Sequence, residues 1–171
     1  MENNIDIIPY TKVDGIRTFK DSYVRSLYDR VISEGYAYIF NDGSIKTSEE
    51  FLHSMRYNSE LFLMYWDNEL VAICWLNRFE SRSARLHWCG LGDVNPRKFV
   101  IIGKEMLKKL EAHLDLIIGY TPSSNEQAIK YAKLCGMTVA TEIPNLCYNA
   151  NTGKSESGVI TYYSRSENED L

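Results

Sequence analysis

The sequence is short of several features that would each announce a function. No run in its 171 residues approaches the roughly 18 apolar residues of a membrane span. Its opening, MENNIDIIPY, has neither a basic region nor a long apolar segment, so no secretory signal is expected and the setting reads as cytoplasmic. The four cysteines, Cys74, Cys89, Cys135 and Cys147, form no C-x-x-C pair, and His53, His87 and His113 are scattered. Free thiols and no metal site are therefore expected. G-x-S-x-G is missing, which removes the common hydrolase elbow. No cysteine has an obvious base beside it. Positive charge is in deficit too: a net charge of −4 argues against nucleic acid as the main partner. No repeat or low-complexity linker divides the chain, so one domain is expected over 1–165, followed by an acidic, disordered tail over 166–171.

What is present reads as alternating strands and helices. Asn4–Ile8 suits a short strand. Arg17–Ser33 carries Phe19, Tyr23, Val24, Leu27, Tyr28, Val31 and Ile32 near a 3.6-residue period, which predicts an amphipathic helix ending near Gly35. Tyr36–Phe40 suits a short strand or a packed loop. Thr47-x-x-Glu50 is a capping-box pattern and predicts a second helix over Ser48–Arg56. Leu61–Trp66 and Glu69–Arg78 read as strands around the turn Asp67-Asn68, and 84–91, ARLHWCGL, as a third. Short loops make these three antiparallel neighbours. The strand Asp115–Tyr120 follows a helix and should run parallel to its predecessor. A mixed sheet of that kind changes pairing at one point, where ligands commonly enter.

The stretch from Asn95 to Met137 carries most of the chemical signal. It predicts a basic turn, a helix beginning near Gly103, a buried strand, and a second helix capped by Ser123-x-x-Glu126 and closed by Gly136. Met137 should open a buried strand. Helix N-termini bind anions through free N–H groups, and glycine lets an anion approach the backbone. Arg97, Lys98, Lys104, Lys108 and Lys109 surround that start. In ARLHWCGL, strand alternation puts His87 and Cys89 on one face and Trp88 on the other. His87 is the candidate general base, with Glu80 and Asp93 as alternatives. Gly90 and Gly92 suggest a bulge that frees strand amides, those of Gly90 and Leu91 among them, for a carbonyl oxygen.

These residues resemble the GNAT superfamily of acyl-CoA N-acyltransferases, best over residues 60–143. Asn125, Ala128, Gly136 and Met137 match that family's N-x-x-A-x-x-x-Y-x-x-x-G-F pattern, following DLIIGYTP. Lys98 takes the basic position of the family's glycine turn, Phe99 and Ile101 stand where two glycines usually do, and Gly103 remains. Ala132 occupies the tyrosine position; Tyr131 lies one residue earlier, about 100° round the helix. The strand with His87, the glycine-poor turn before Gly103 and the stretch Thr121–Asn125 running to Gly136 look most like the divergent GNAT-like proteins of bacteriophages and prophages, with Ile143–Asn145 and the closing strand Gly158–Arg165 as lesser points of likeness.

The resemblance implies an α/β fold of the α+β type, with a mixed central sheet of about six to seven strands flanked by about four helices. It implies transfer of acetyl from acetyl-CoA to a primary amine, the acceptor being unnamed. Arg97, Lys98, Ile102, Gly103, Lys104, Asn125 and Tyr131 would hold the coenzyme, with Gly90 and Leu91 at the thioester. The implied setting is a host cytoplasm or a virion. Tyr162-Tyr163 offer an aromatic contact for a homodimer. A non-catalytic binding or assembly module of the same fold is the opposing expectation.

Overall fold

The computed structural model describes residues 4–165; the expected acidic tail lies outside the described residues. Strands β1 (Ile5–Pro9), β4 (Glu60–Trp66), β5 (Glu69–Glu80), β6 (Ser83–Gly90), β7 (Leu116–Pro122), β8 (Thr138–Asn149) and β9 (Lys154–Ser164) build one sheet in the order β1-β4-β5-β6-β7-β9-β8. A small hairpin, β2 (Lys12–Val13) and β3 (Ile16–Arg17), stands apart. Helices α1 (Asp21–Ser33), α2 (Ser48–Tyr57), α3 (Pro96–Glu111) and α4 (Glu126–Cys135) flank the sheet.

Both sheet faces are covered, so the central strands are apolar on both sides rather than alternating with polar residues. Leu61, Leu63, Ile73, Trp75 and Cys89 face forward onto α1 and α2, meeting Val24, Leu27, Val31, Phe51 and Met55. Phe62, Met64, Cys74, Leu76 and Ala84 face backward onto Ile102, Met106 and Leu110 of α3 and Cys135 of α4. The β4–β5 connection is the two-residue turn expected at Asp67-Asn68. Both residues have positive φ (49° and 67°), the mirror-image turn whose twist suits a hairpin.

Several boundaries differ from the sequence reading. Helix α1 starts at Asp21, not Arg17, because Asp14-Gly15 (φ 49° and 83°) turns the chain and pairs Ile16–Arg17 with Lys12–Val13. Residues Ala37–Phe40 form a single 3₁₀ turn, neither strand nor loop. In α2 the Thr47 hydroxyl accepts from Glu50 N–H as expected, but the Glu50 carboxylate accepts from Lys46 N–H. Gly136 does end α4: it is left-handed (φ 106°), and Met137 N–H bonds back to Ala132 O. Met137 is buried, yet the strand after it is the exposed edge of the sheet. That edge breaks register between Ile143 and Cys147, where Pro144 has no N–H to offer and Asn145 takes φ 58°. All four cysteines are free thiols. No described helix is long and apolar enough to cross a membrane.

Candidate active site

The sheet opens between β6 and β7. They pair in parallel only over Ser83–Arg85 and Leu116–Ile118, then part. The cause is visible on both sides. Beyond Arg85, β6 stays in register with β5 up to Gly90 opposite Ala72, while β7 follows β9 to Pro122 opposite Gly158. Each strand keeps its other neighbour, so a wedge forms.

Backbone groups along an antiparallel ladder point alternately to either side. Leu91 N–H donates to Val71 O at 2.8 Å, so Cys89, His87 and Arg85 also turn their backbone toward β5. Leu86, Trp88 and Gly90 turn theirs toward β7. Since β7 has left the ladder after Ile118, the N–H groups of Trp88 and Gly90 point into the wedge without a strand partner. The expected bulge at Gly90–Gly92 is not the source of these amides. The β5–β6 register slips at the far end, between Asn77 and Glu80. Leu91 N–H is engaged with Val71, and Gly92 N–H donates to Glu34 Oε2 at 2.6 Å. Trp88 N–H was not singled out from sequence; only the strand partnering reveals it.

On the forward face of β6, His87 lies flat on Trp75, with ring centroids 5.0 Å apart and planes within 3°. Its Nε2 is 3.1 Å from Asn77 Oδ1. A carbonyl oxygen only accepts, so Nε2 carries the proton and Nδ1 holds the lone pair. Burial, together with the charges of Arg85 and Arg78, pulls the imidazole down to about 4 against an upward pull from Asp42. His87 is thus neutral near pH 7. Arg85, two residues earlier on the same face, stands over the Tyr120 ring at 4.5 Å, across the mouth of the wedge. Asn77 and Arg85 are the forward residues that sequence reasoning missed. A lone arginine inside ARLHWCGL was the available signal for the second. Glu80 is exposed at the closed end of the sheet, and Asp93 is exposed on the β6–α3 loop.

The backward face is filled. Trp88 packs on Tyr131 with ring centroids 5.5 Å apart. The Tyr131 hydroxyl donates to Phe99 O at 2.9 Å, and burial pushes its phenol far above the usual range. Phe99 covers Gly90 so closely that a Cβ there would meet the ring at 2.7 Å. Tyr131 therefore faces the core, between α3 and α4.

The coenzyme turn expected at Gly103 is not there. Helix α3 begins seven residues earlier, at Pro96, because Asn95 caps it and proline suits a first helical position. Ile102 and Gly103 are buried mid-helix, and Lys104 is exposed on the same turn. Gly103 is a contact point between helices: a Cβ would collide with Cys135 Sγ and lie 2.6 Å from the Tyr131 hydroxyl. The true α3 N-terminus is already satisfied. Asn95 Oδ1 accepts from Arg97 N–H at 2.9 Å, and Asn95 O accepts from Lys98 and Phe99 N–H. Arg97 is exposed, and Lys98 Nζ stands over the Trp66 ring at 5.0 Å. At α4 the cap is Asn125, whose Oδ1 accepts from Ala128 N–H at 3.1 Å. The expected cap residue, Ser123, donates instead to Glu142 at 2.7 Å. Tyr163 packs against the rear core with its hydroxyl donating to Glu111.

This arrangement of a mixed sheet, parted parallel strands and paired flanking helices is the GNAT fold. Comparison with solved structures agrees. An acetyltransferase from Salmonella typhimurium that modifies the N-terminal serine of ribosomal protein L7/L12 superposes with a TM-score of 0.68 at 12 % identity, over 95 % of both chains. Spermidine N-acetyltransferase from Vibrio cholerae, solved with CoA and spermine, gives 0.71 at 11 % identity, over 95 % of this chain and 96 % of that one. The microcin C7 self-immunity acetyltransferase, solved with acetyl-CoA and AMP, gives 0.65 at 9 % identity, over 85 % and 89 %. At such identities the likeness is one of fold. No family model and no curated protein matches the sequence.

Proposed function

We propose that this chain is a single-domain acyl-CoA N-acyltransferase that moves acetyl from acetyl-CoA to a primary amine by direct attack. The observation that carries the reading is the wedge between β6 and β7, with the N–H groups of Trp88 and Gly90 open to it and neutral His87 beside it. In this reading those amides hold the thioester oxygen as it gains negative charge. Nδ1 of His87 takes the proton released by the attacking nitrogen as the N–C bond forms and the C–S bond breaks. Arg97 and Lys98 meet the coenzyme phosphates, and Asn125 contributes the Nδ2 that its cap leaves over. Tyr131, held on Phe99 O, supports the wedge from behind. Acetyl-CoA as donor is supported by the similar folds solved with CoA or acetyl-CoA. A phage or prophage setting, in the host cytoplasm or a virion, rests on the sequence resemblance alone.

One observation favours a second reading, a coenzyme-free binding or assembly module. The first N–H groups of α3 are already engaged by Asn95. Calorimetry with acetyl-CoA separates the two. The acyltransferase binds in the micromolar range, and absence of heat at high micromolar concentration sinks that reading. Within it, His87→Ala lowers kcat by about 100-fold with acetyl-CoA affinity unchanged, as removal of a general base does; an unaltered kcat removes His87 from the mechanism.

A further inference from the structure

The Arg85 guanidinium sits where β6 and β7 lose each other, at the last rung, opposite Ile118. Its Nε is buried without a hydrogen-bond partner, and among the described residues no carboxylate forms an ion pair with it. Its guanidinium stands over the face of Tyr120. Burial, and after it the like charge of Arg78, disfavour its charged form, against a smaller pull the other way from Asp42 and Tyr120. An arginine in that position is costly unless something answers it. Asp42, the carboxylate that acts on it, does so without forming an ion pair. Asp42 accepts from the Ser44 N–H and hydroxyl within its own loop. Glu156, on the rung with Cys147, accepts from Ser124 at 2.6 Å. No ion pair fixes the guanidinium, and its fork suits a carboxylate or a phosphate.

We propose that Arg85 is the acceptor-recognition group, and that the acceptor is a small amine carrying a carboxylate or phosphate. This rests on the acyl-transfer reading for the amine, while the anion subsite stands on Arg85 itself. Arg85 and His87 share a face two residues apart, roughly 7 Å along the strand. The anion and the nucleophilic nitrogen are therefore separated by only a few bonds. A polyamine, cationic at every nitrogen, would meet Arg85 as a like charge.

The test is equilibrium binding to the full chain with CoA present, using four amines of similar size. O-Phosphoethanolamine and β-alanine carry the two anions, ethanolamine carries none, and 1,3-diaminopropane carries a second cation. At least one of the two anionic amines should bind about tenfold or more tighter than ethanolamine, the diamine should bind weakest, and the better of the two anions identifies the group recognised. Arg85→Gln should abolish the preference and Arg85→Lys should keep part of it. Ethanolamine or the diamine binding as well as both anionic amines overturns the proposal, as does a preference that survives Arg85→Gln. Binding is read without turnover. Anion preference without acetylation of any amine therefore counts against the acyltransferase reading alone, and acetylation of all four amines at equal efficiency counts against the anion subsite alone.

Discussion

The two faces of β6 divide the molecule's work. Behind the strand, Trp88, Phe99, Tyr131 and Gly103 are packed to the point where two glycines have no room for a methyl group. In front, Arg85 and His87 lie in a partly buried setting with polar atoms that the fold does not use fully. The difference follows from the strands' neighbours. Helices α3 and α4 are tied through Tyr131 to Phe99 O, while in front His87 sits among the charges of Arg85, Asp42 and Arg78. Gly90 and Gly103 therefore mark tight packing behind the strand, and the side chains with free polar atoms lie in front of it.

The contrast can be attacked first from the front. In the fold His87 is held neutral down to about pH 4, whereas an ordinary imidazole takes its proton near 6.5. Between those values the unfolded chain binds the extra proton. This group's contribution to stability is therefore level above about 6.5, falls as pH drops toward 4, and is level again below. The full loss is on the order of 3 kcal/mol. Urea unfolding at several pH values, on wild type and on His87→Gln, isolates it, because other groups titrate equally in both. Equal acid losses in the two proteins would mean that the front face is as wet as the surface.

From the back, Gly103→Ala should cost about 2 kcal/mol, the strain of pressing on Cys135 and Tyr131 exceeding the gain of about 1 kcal/mol from alanine's better helix propensity. Chemical denaturation measures it. If Gly103 belonged to a phosphate turn, the substitution would leave stability intact and weaken acetyl-CoA binding instead.

Much of the fold was readable because its signals are local. The Asp67-Asn68 turn, the Thr47 cap, the buried periodicity of α1 and the closure of α4 at Gly136 each depend on a few adjacent residues. The misreadings came where a local signal had a competitor. Asp14-Gly15 formed a hairpin that displaced the start of α1, and Ser123-x-x-Glu126 lost its cap to Asn125. The site was less legible. His87 was visible as a lone imidazole, but its neutrality arises from burial and from the charges of Arg85 and Arg78, a setting that only the sheet register assembles. The open amide of Trp88 depends on where β7 departs, a property of three strands at once.

The smallest effects give the finest division, since α3 and α4 both begin on an asparagine that caps its own helix. Asn95→Ala and Asn125→Ala should each lose about 1 kcal/mol of stability, as cap removal does. Their effects on acetyl-CoA should be opposite. Losing the Asn95 side chain releases Arg97 N–H beside Arg97 and Lys98, which gives a phosphate a free donor at a helix N-terminus and tightens binding a few-fold. Losing Asn125 removes an amide from the wedge side of β7 and weakens binding by a similar factor. Calorimetry on the two variants compares them directly. If neither changes acetyl-CoA affinity, both asparagines are caps and nothing more, and the coenzyme's phosphates must be held without either helix start.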